Sequence, residues 1–179
     1  MIHPVIEAAR ETFASTKELG DNAIAQLDDA ELNKSLVADG NSVAVIVRHV
    51  AGNMRSRWTD FLHSDGEKPW RNRDEEFAVP DEPRSELMAN WQAGWACLFA
   101  ALDSLTDADL ARSIRIRGQD LSVARAIDRQ LAHYGYHVGQ IVFIARTLRG
   151  ERWSTLSIAR GKSEDFNREL FGDPAPKSP

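Results

Sequence analysis

The sequence predicts an all-α fold, a four-helix bundle, and three observations carry that prediction. Four long segments repeat apolar residues at three- and four-residue steps, the period of a helix with one buried face. One short stretch, 113–121, alternates with the period of a strand. A chain of 179 residues, 42% hydrophobic and 27% charged, has the composition of one soluble globular domain. Residues 1–172 read as that domain and 173–179 as an irregular, disordered tail.

Pro4 suits a first helical turn, and Val5, Ala9, Phe13, Thr16, Leu19, Ala23 and Leu27 follow at helical steps, giving a first helix that ends near Asp28. Residues 28–40 form a connection with room for one short helical turn. Asn41 or Ser42 then caps a second helix, whose buried side carries Val43, Ile46 or Val47, Val50, Met54, Arg57 or Trp58, and Phe61. His49 sits at the margin of that side and points toward the bundle.

From His63 to Pro80 the period fails in a charged run broken by turn residues. A loop of this length inside a compact domain is usually functional or mobile. Trp70 and Phe77 either anchor it over a pocket mouth, as a lid, or tie the connection to the bundle, and the second role is the simpler. Asp81 and Pro83 start a third helix with Leu87, Trp91, Trp95, Leu98, Leu102 and Leu105 on one face, and its two tryptophans read as core. Cys97 lies beside that face and reads as a buried, inert thiol.

Leu105-Thr-Asp-Ala-Asp-Leu110 echoes Leu27-Asp-Asp-Ala-Glu-Leu32. Each follows a long helix and leads to a Ser-Val-Ala, at Ser42 and at Ser122, that opens a histidine-bearing helix. The echo implies two helical hairpins related by an approximate two-fold, with their histidines facing each other. Before the second Ser-Val-Ala, residues 113–121 alternate around Gly118 as a short β-hairpin.

The last long helix carries two stripes. Ile127, Leu131, Tyr134, Val138, Ile141 or Val142, Ala145 and Leu148 make an ordinary core face. Ala126, Gln130, His133, His137, Gln140 and Ile144 run beside it, polar at the centre and apolar at the ends, as on a side lining a partly buried pocket. His133 and His137 are four residues apart, which stacks two imidazoles about one turn from each other, near enough to share a metal ion. On spacing alone the pair reads more readily as a surface feature or a satisfied polar contact than as a pair of ligands. His49 is the best third ligand. Gly135 and Gly139 each cost about 1 kcal/mol relative to Ala unless another backbone comes close, so a packing contact is expected there. After Gly150 the pattern weakens. Gly161-Lys162-Ser163 lacks the glycine at position 156 and the preceding strand of a phosphate loop, and Ser163 is expected to cap a short helix through Leu170.

The net charge is −5 with basic residues scattered among acids, which disfavours nucleic acid as a partner. No apolar run approaches a membrane span and the start lacks a signal core, so a cytoplasmic protein with no membrane partner is expected. A single cysteine allows no intrachain disulfide.

The segment Ser42-Val-Ala-Val-Ile-Val-Arg-His49-Val-Ala-Gly-Asn53, the hairpin ending near Val123 and His133-Tyr-Gly-Tyr-His137-Val-Gly-Gln140 together resemble the DinB-like superfamily, which includes thiol-dependent transferases, over nearly the whole chain. Residues 55–62 and 66–73 look like an uncharacterised bacterial subgroup of it. The resemblance implies a four-helix bundle that often forms a homodimer. It also implies a divalent metal, commonly nickel or zinc, held by one histidine of the second helix and two of the fourth, here His49, His133 and His137. Three neutral imidazoles leave at least one open coordination position, where bound water or a thiolate would be the nucleophile. No acid lies between His133 and His137, so the base of the metalloprotease helix motif is missing. Asn53, Gln130 and Gln140 are candidates to hydrogen-bond the ligands or substrate, or to pack at the interface. The expected function is metal-dependent hydrolysis of a small molecule or group transfer to a low-molecular-weight thiol. The alternative is a non-catalytic metal-binding dimer acting as a sensor, sequestering protein or interaction module.

Overall fold

A computed structural model describes residues 3–78 and 82–172. Its helices are α1 (Pro4–Ala25), α2 (Asp29–Leu32), α3 (Val43–Trp58), α4 (Arg84–Asp103), α5 (Val123–Arg149) and α6 (Ser163–Phe171), with strands β1 (Ser113–Ile116) and β2 (Gln119–Ser122) paired antiparallel before α5. The four long helices form the bundle: α1 packs chiefly on α5 and α3 on α4, while α3 and α5 meet along the edge that carries the histidines. The all-α class and the hairpin are therefore as the sequence predicts. Among the described residues, no helix is long and apolar enough to cross a membrane.

The bundle core is aromatic. The Trp95 ring stands 5.5 Å from Trp91, 5.8 Å from Tyr134 and 6.5 Å from Phe13, all edge-on, and each such pair adds about 0.5–1.5 kcal/mol beyond the area it buries. Both tryptophans of α4 are fully buried. A chain of hydrogen bonds runs through this core, from Trp58 Nε1 to the Tyr134 hydroxyl (3.2 Å) and from that hydroxyl to Asn53 Oδ1 (3.1 Å). It satisfies three buried polar groups and ties α3 to α5 immediately below the histidines.

The face of α1 is rotated from the expected one. Val5 and Leu19 are exposed, while Ile6, Ala9, Phe13, Gly20, Ala23 and Ile24 are buried. Apolar residues sit side by side at 5–6 and 23–24, so the period alone leaves the face open. Trp91 sets it, because a Cβ at Gly20 would press on its ring at 3.1 Å, so the small residue turns toward α4 and the neighbouring Val138 of α5. At the other end of the chain, Ser163 is the first residue of α6 rather than its cap. Lys162 holds the cap position, its side chain pairing with Asp165 (3.0 Å) rather than capping the backbone, and no residue of α6 is buried. The β-hairpin turns through Arg117 and Gly118, both at positive φ, the backbone of a tight two-residue turn matching strand twist. The expected tail 173–179 and the Asp81 helix start lie outside the described residues.

Candidate metal centre

Two capping serines set the register of the site. Ser42 Oγ accepts the Val45 N–H and Ser122 Oγ accepts the Arg125 N–H, each at 3.2 Å, so α3 and α5 begin at corresponding places in the two Ser-Val-Ala segments. His49 then falls on the buried side of α3, 5% exposed. His133 and His137 fall half-buried on the α5 stripe, between buried Ala126 and Gln130 at one end and Ile144 at the other. The three rings converge, with centroids 5.5 Å apart for His49–His133, 4.9 Å for His49–His137 and 4.7 Å for His133–His137. One nitrogen from each lies within 4.8 Å of the others.

Each ring is oriented differently. His49 Nδ1 meets Glu76 Oε2 at 2.9 Å, and Arg71 grips the same carboxylate with Nε on Oε1 (2.7 Å) and Nη2 on Oε2 (2.8 Å). Phe77 lies against the His49 ring at 4.7 Å. His137 Nδ1 meets Gln140 Oε1 at 2.9 Å. His133 has no such partner: its Nδ1 is buried and unbonded. A buried polar nitrogen without a partner is costly.

The electrostatics keep the two α5 imidazoles neutral. Burial, then the neighbouring His137 and His49 rings and the Arg57 and Arg71 cations, push His133 down to about 3. Burial and His49 likewise lower His137, against the opposing Gln140 contact. Burial alone would raise the Glu76 carboxyl, but the hydrogen bonds from His49 and Arg71 outweigh it and hold the group below its ordinary value. The cluster thus offers neutral nitrogen donors from α5, and an ionised carboxylate lies behind His49.

Among the described residues, Gln140 bonds to one of the three rings, whereas Asn53 and Gln130 do not. Asn53 Oδ1 is taken by Tyr134, and Gln130 is buried with its side-chain oxygen unbonded. Sequence reasoning missed Arg71 and Glu76. They come from the aperiodic loop, whose short 3-10 turn at Glu75–Phe77 drops onto α3. Phe77 does reach the site, whereas Trp70 is exposed and stacks under the Arg55 guanidinium. One signal was present in the sequence: Gly52, one turn after His49, is where the Glu76 carboxylate rests, and a methyl group there would overlap it. By contrast Gly135 and Gly139 face open space, so no contact among the described residues explains them.

The comparisons with known proteins agree on the fold and point to metal chemistry in relatives. The family described as "Protein of unknown function (DUF1572)" matches residues 2–162. A protein of Geobacillus thermodenitrificans named "Putative metal-dependent hydrolase" is 28% identical over 155 residues, spanning 78% of this chain and 85% of its own length. One of the same name from Geobacillus kaustophilus is 31% identical over 108 residues, spanning 54% of this chain and 58% of its own. The crystal structure of a conserved protein from Enterococcus faecalis superposes with a TM-score of 0.64 at 20% identity, covering 83% of this chain and 99% of that one.

Proposed function

The chain belongs to the family described as "Protein of unknown function (DUF1572)", whose fold is DinB-like, and from that premise we propose that it is a divalent-metal-dependent hydrolase of a small molecule. The observation that carries this reading is the convergence of His49, His133 and His137 from two facing helices. The donor set fits such an ion: three converging imidazoles, two of them held neutral by burial, and an orphaned buried nitrogen on His133. Imidazole donors suit zinc or nickel, and three protein ligands leave a position open for substrate or solvent. The two Geobacillus relatives support hydrolysis by their names.

When bound, the ion supplies Lewis-acid charge and acidifies a water or thiol that reaches it. The chain's own residues do the rest. Gln140 and Glu76 orient two of the rings, and Phe77 shields the His49 ring on the loop side. Transfer to a low-molecular-weight thiol would use the same open position, and the names of the relatives favour hydrolysis over it. A non-catalytic metal-binding protein is the second reading, favoured by one observation: both oxygens of Glu76 are engaged by Arg71 and His49, so the carboxylate nearest His49 is not free to move protons. The reading extends to a homodimer. The outer face of α5 leaves Tyr136 and Phe143 63% and 66% exposed, beside the unpacked Gly135 and Gly139.

Turnover separates the first two readings. Metal-loaded protein is assayed on ester, amide and thiol-conjugation panels, with chelated protein and His137→Ala alongside. Hydrolysis that requires both the metal and His137 is the expected result; a folded, loaded protein inert across all three panels transfers the assignment to the binding protein.

A further inference from the structure

Glu76 stands 27 residues from His49 in the chain, on a loop with little periodic structure, yet its carboxylate is the most completely engaged acid near the histidines. Arg71 donates to both of its oxygens, and the Arg71 side chain is only 2% exposed. A carboxylate that already receives two guanidinium hydrogens is an acceptor, so the proton in the contact with His49 sits on the imidazole Nδ1. That leaves the Nε2 lone pair of His49 as its only ligand atom.

The loop is fastened independently of the histidines. Asp65 accepts the backbone N–H groups of Arg117 and Gly118 at 2.8 Å each, tying the loop to the tip of the β-hairpin. Glu67 bridges Arg57 (3.0 Å) and Arg117 (2.7 Å). Arg71 therefore reaches Glu76 from a fixed base, and Gly52 supplies the floor on which the carboxylate rests.

We propose that Glu76 is a positioning residue for the metal ligand His49, fixing the tautomer and ring orientation that present Nε2 to the cluster, with Arg71 holding the carboxylate in place and Gly52 making room for it. Carboxylate partners of this kind characteristically hold ligating imidazoles, and losing one costs about 10–100-fold in metal affinity. The proposal rests on the three-histidine reading, but it adds residues that the histidine spacing does not indicate.

Long-range proton–nitrogen NMR of 15N-histidine-labelled, metal-free full-length protein reads the tautomer directly, and zinc titration reads affinity. Native protein is expected to show His49 with its proton on Nδ1 and to bind zinc. Glu76→Leu is expected to lose the tautomer preference and about 10–100-fold in zinc affinity. Gly52→Ala keeps both charges and displaces the carboxylate, so it is expected to shift both readouts in the same direction if Glu76→Leu does not fold. Trp70→Ala alters the same loop at an exposed side chain that meets the Arg55 guanidinium, away from Glu76, and is expected to leave both readouts in place, which a role confined to loop stability would not predict. A native His49 protonated on Nε2, or zinc affinity unchanged in the folded Glu76→Leu and Gly52→Ala proteins, overturns the proposal while leaving the three-histidine site standing. Native protein that binds none of zinc, nickel, manganese and iron overturns both, and only that outcome removes the underlying reading.

Discussion

Of the three clustered histidines, His133 is the one with a buried ring nitrogen that finds no hydrogen-bond partner among the described residues. Its imidazole is pushed to about 3, mainly by burial, against about 6.5 in an unfolded chain. The unfolded chain therefore takes up a proton below pH 6.5 that the folded chain refuses until about pH 3, so stability from this group is full above 6.5 and is lost as pH falls through that window. Urea unfolding of metal-free protein across that range should show this decline, and His133→Leu should flatten it. An identical pH slope in the variant would contradict the burial argument. The three histidines and Gln140 were legible in the sequence because they sit on strongly periodic helices, where spacing fixes direction. Glu76 and Arg71 were not, since a loop has no period from which a side chain's direction can be read, and their partner lies on another element. Of the two roles open to Asn53, contact with the ligands or packing at the bundle interface, the structure shows the second: its oxygen accepts from Tyr134, 81 residues away.

Among the elements, the two halves of the internal echo fold alike. Asp28 and Glu31 exchange side-chain and backbone hydrogen bonds at 2.8 and 3.1 Å, and Asp109 accepts from both the N–H (2.8 Å) and the hydroxyl (2.6 Å) of Thr106. Each box starts a short turn, α2 in one half and a 3-10 turn at Asp107–Ala111 in the other. The hairpin fills the second connection and has no counterpart in the first. Because Ser122 caps the helix that holds two of the histidines, Ser122→Ala should cost about 1 kcal/mol, and Ser122→Asp should recover most of it. Equal loss in both variants by urea unfolding would mean that the hydroxyl does something other than cap. The face of α1 shows where sequence patterning stops: adjacent apolar residues offer two faces, and the choice belongs to Trp91 on another helix.

For the whole molecule, the bundle was legible because four amphipathic helices with short or punctuated connections have few ways to bury their apolar stripes together. Its assembly was not, since exposed apolar residues show a surface without its occupant. The dimer reading makes Phe143 the sensitive position: sedimentation should give a dimer for the native chain and a monomer for Phe143→Glu, and a native monomer at every concentration would remove it. The central claim concerns one ion and three side chains that two helices bring together. Elemental analysis of untagged protein, with His49→Ala, His133→Ala and His137→Ala beside it, tests that claim most directly. The account predicts about one nickel or zinc ion per chain, set by three imidazole ligands, and its loss in each folded variant. Native protein that remains metal-free after incubation with nickel, zinc, manganese and iron, or a His133→Ala variant that keeps its full complement, would contradict it.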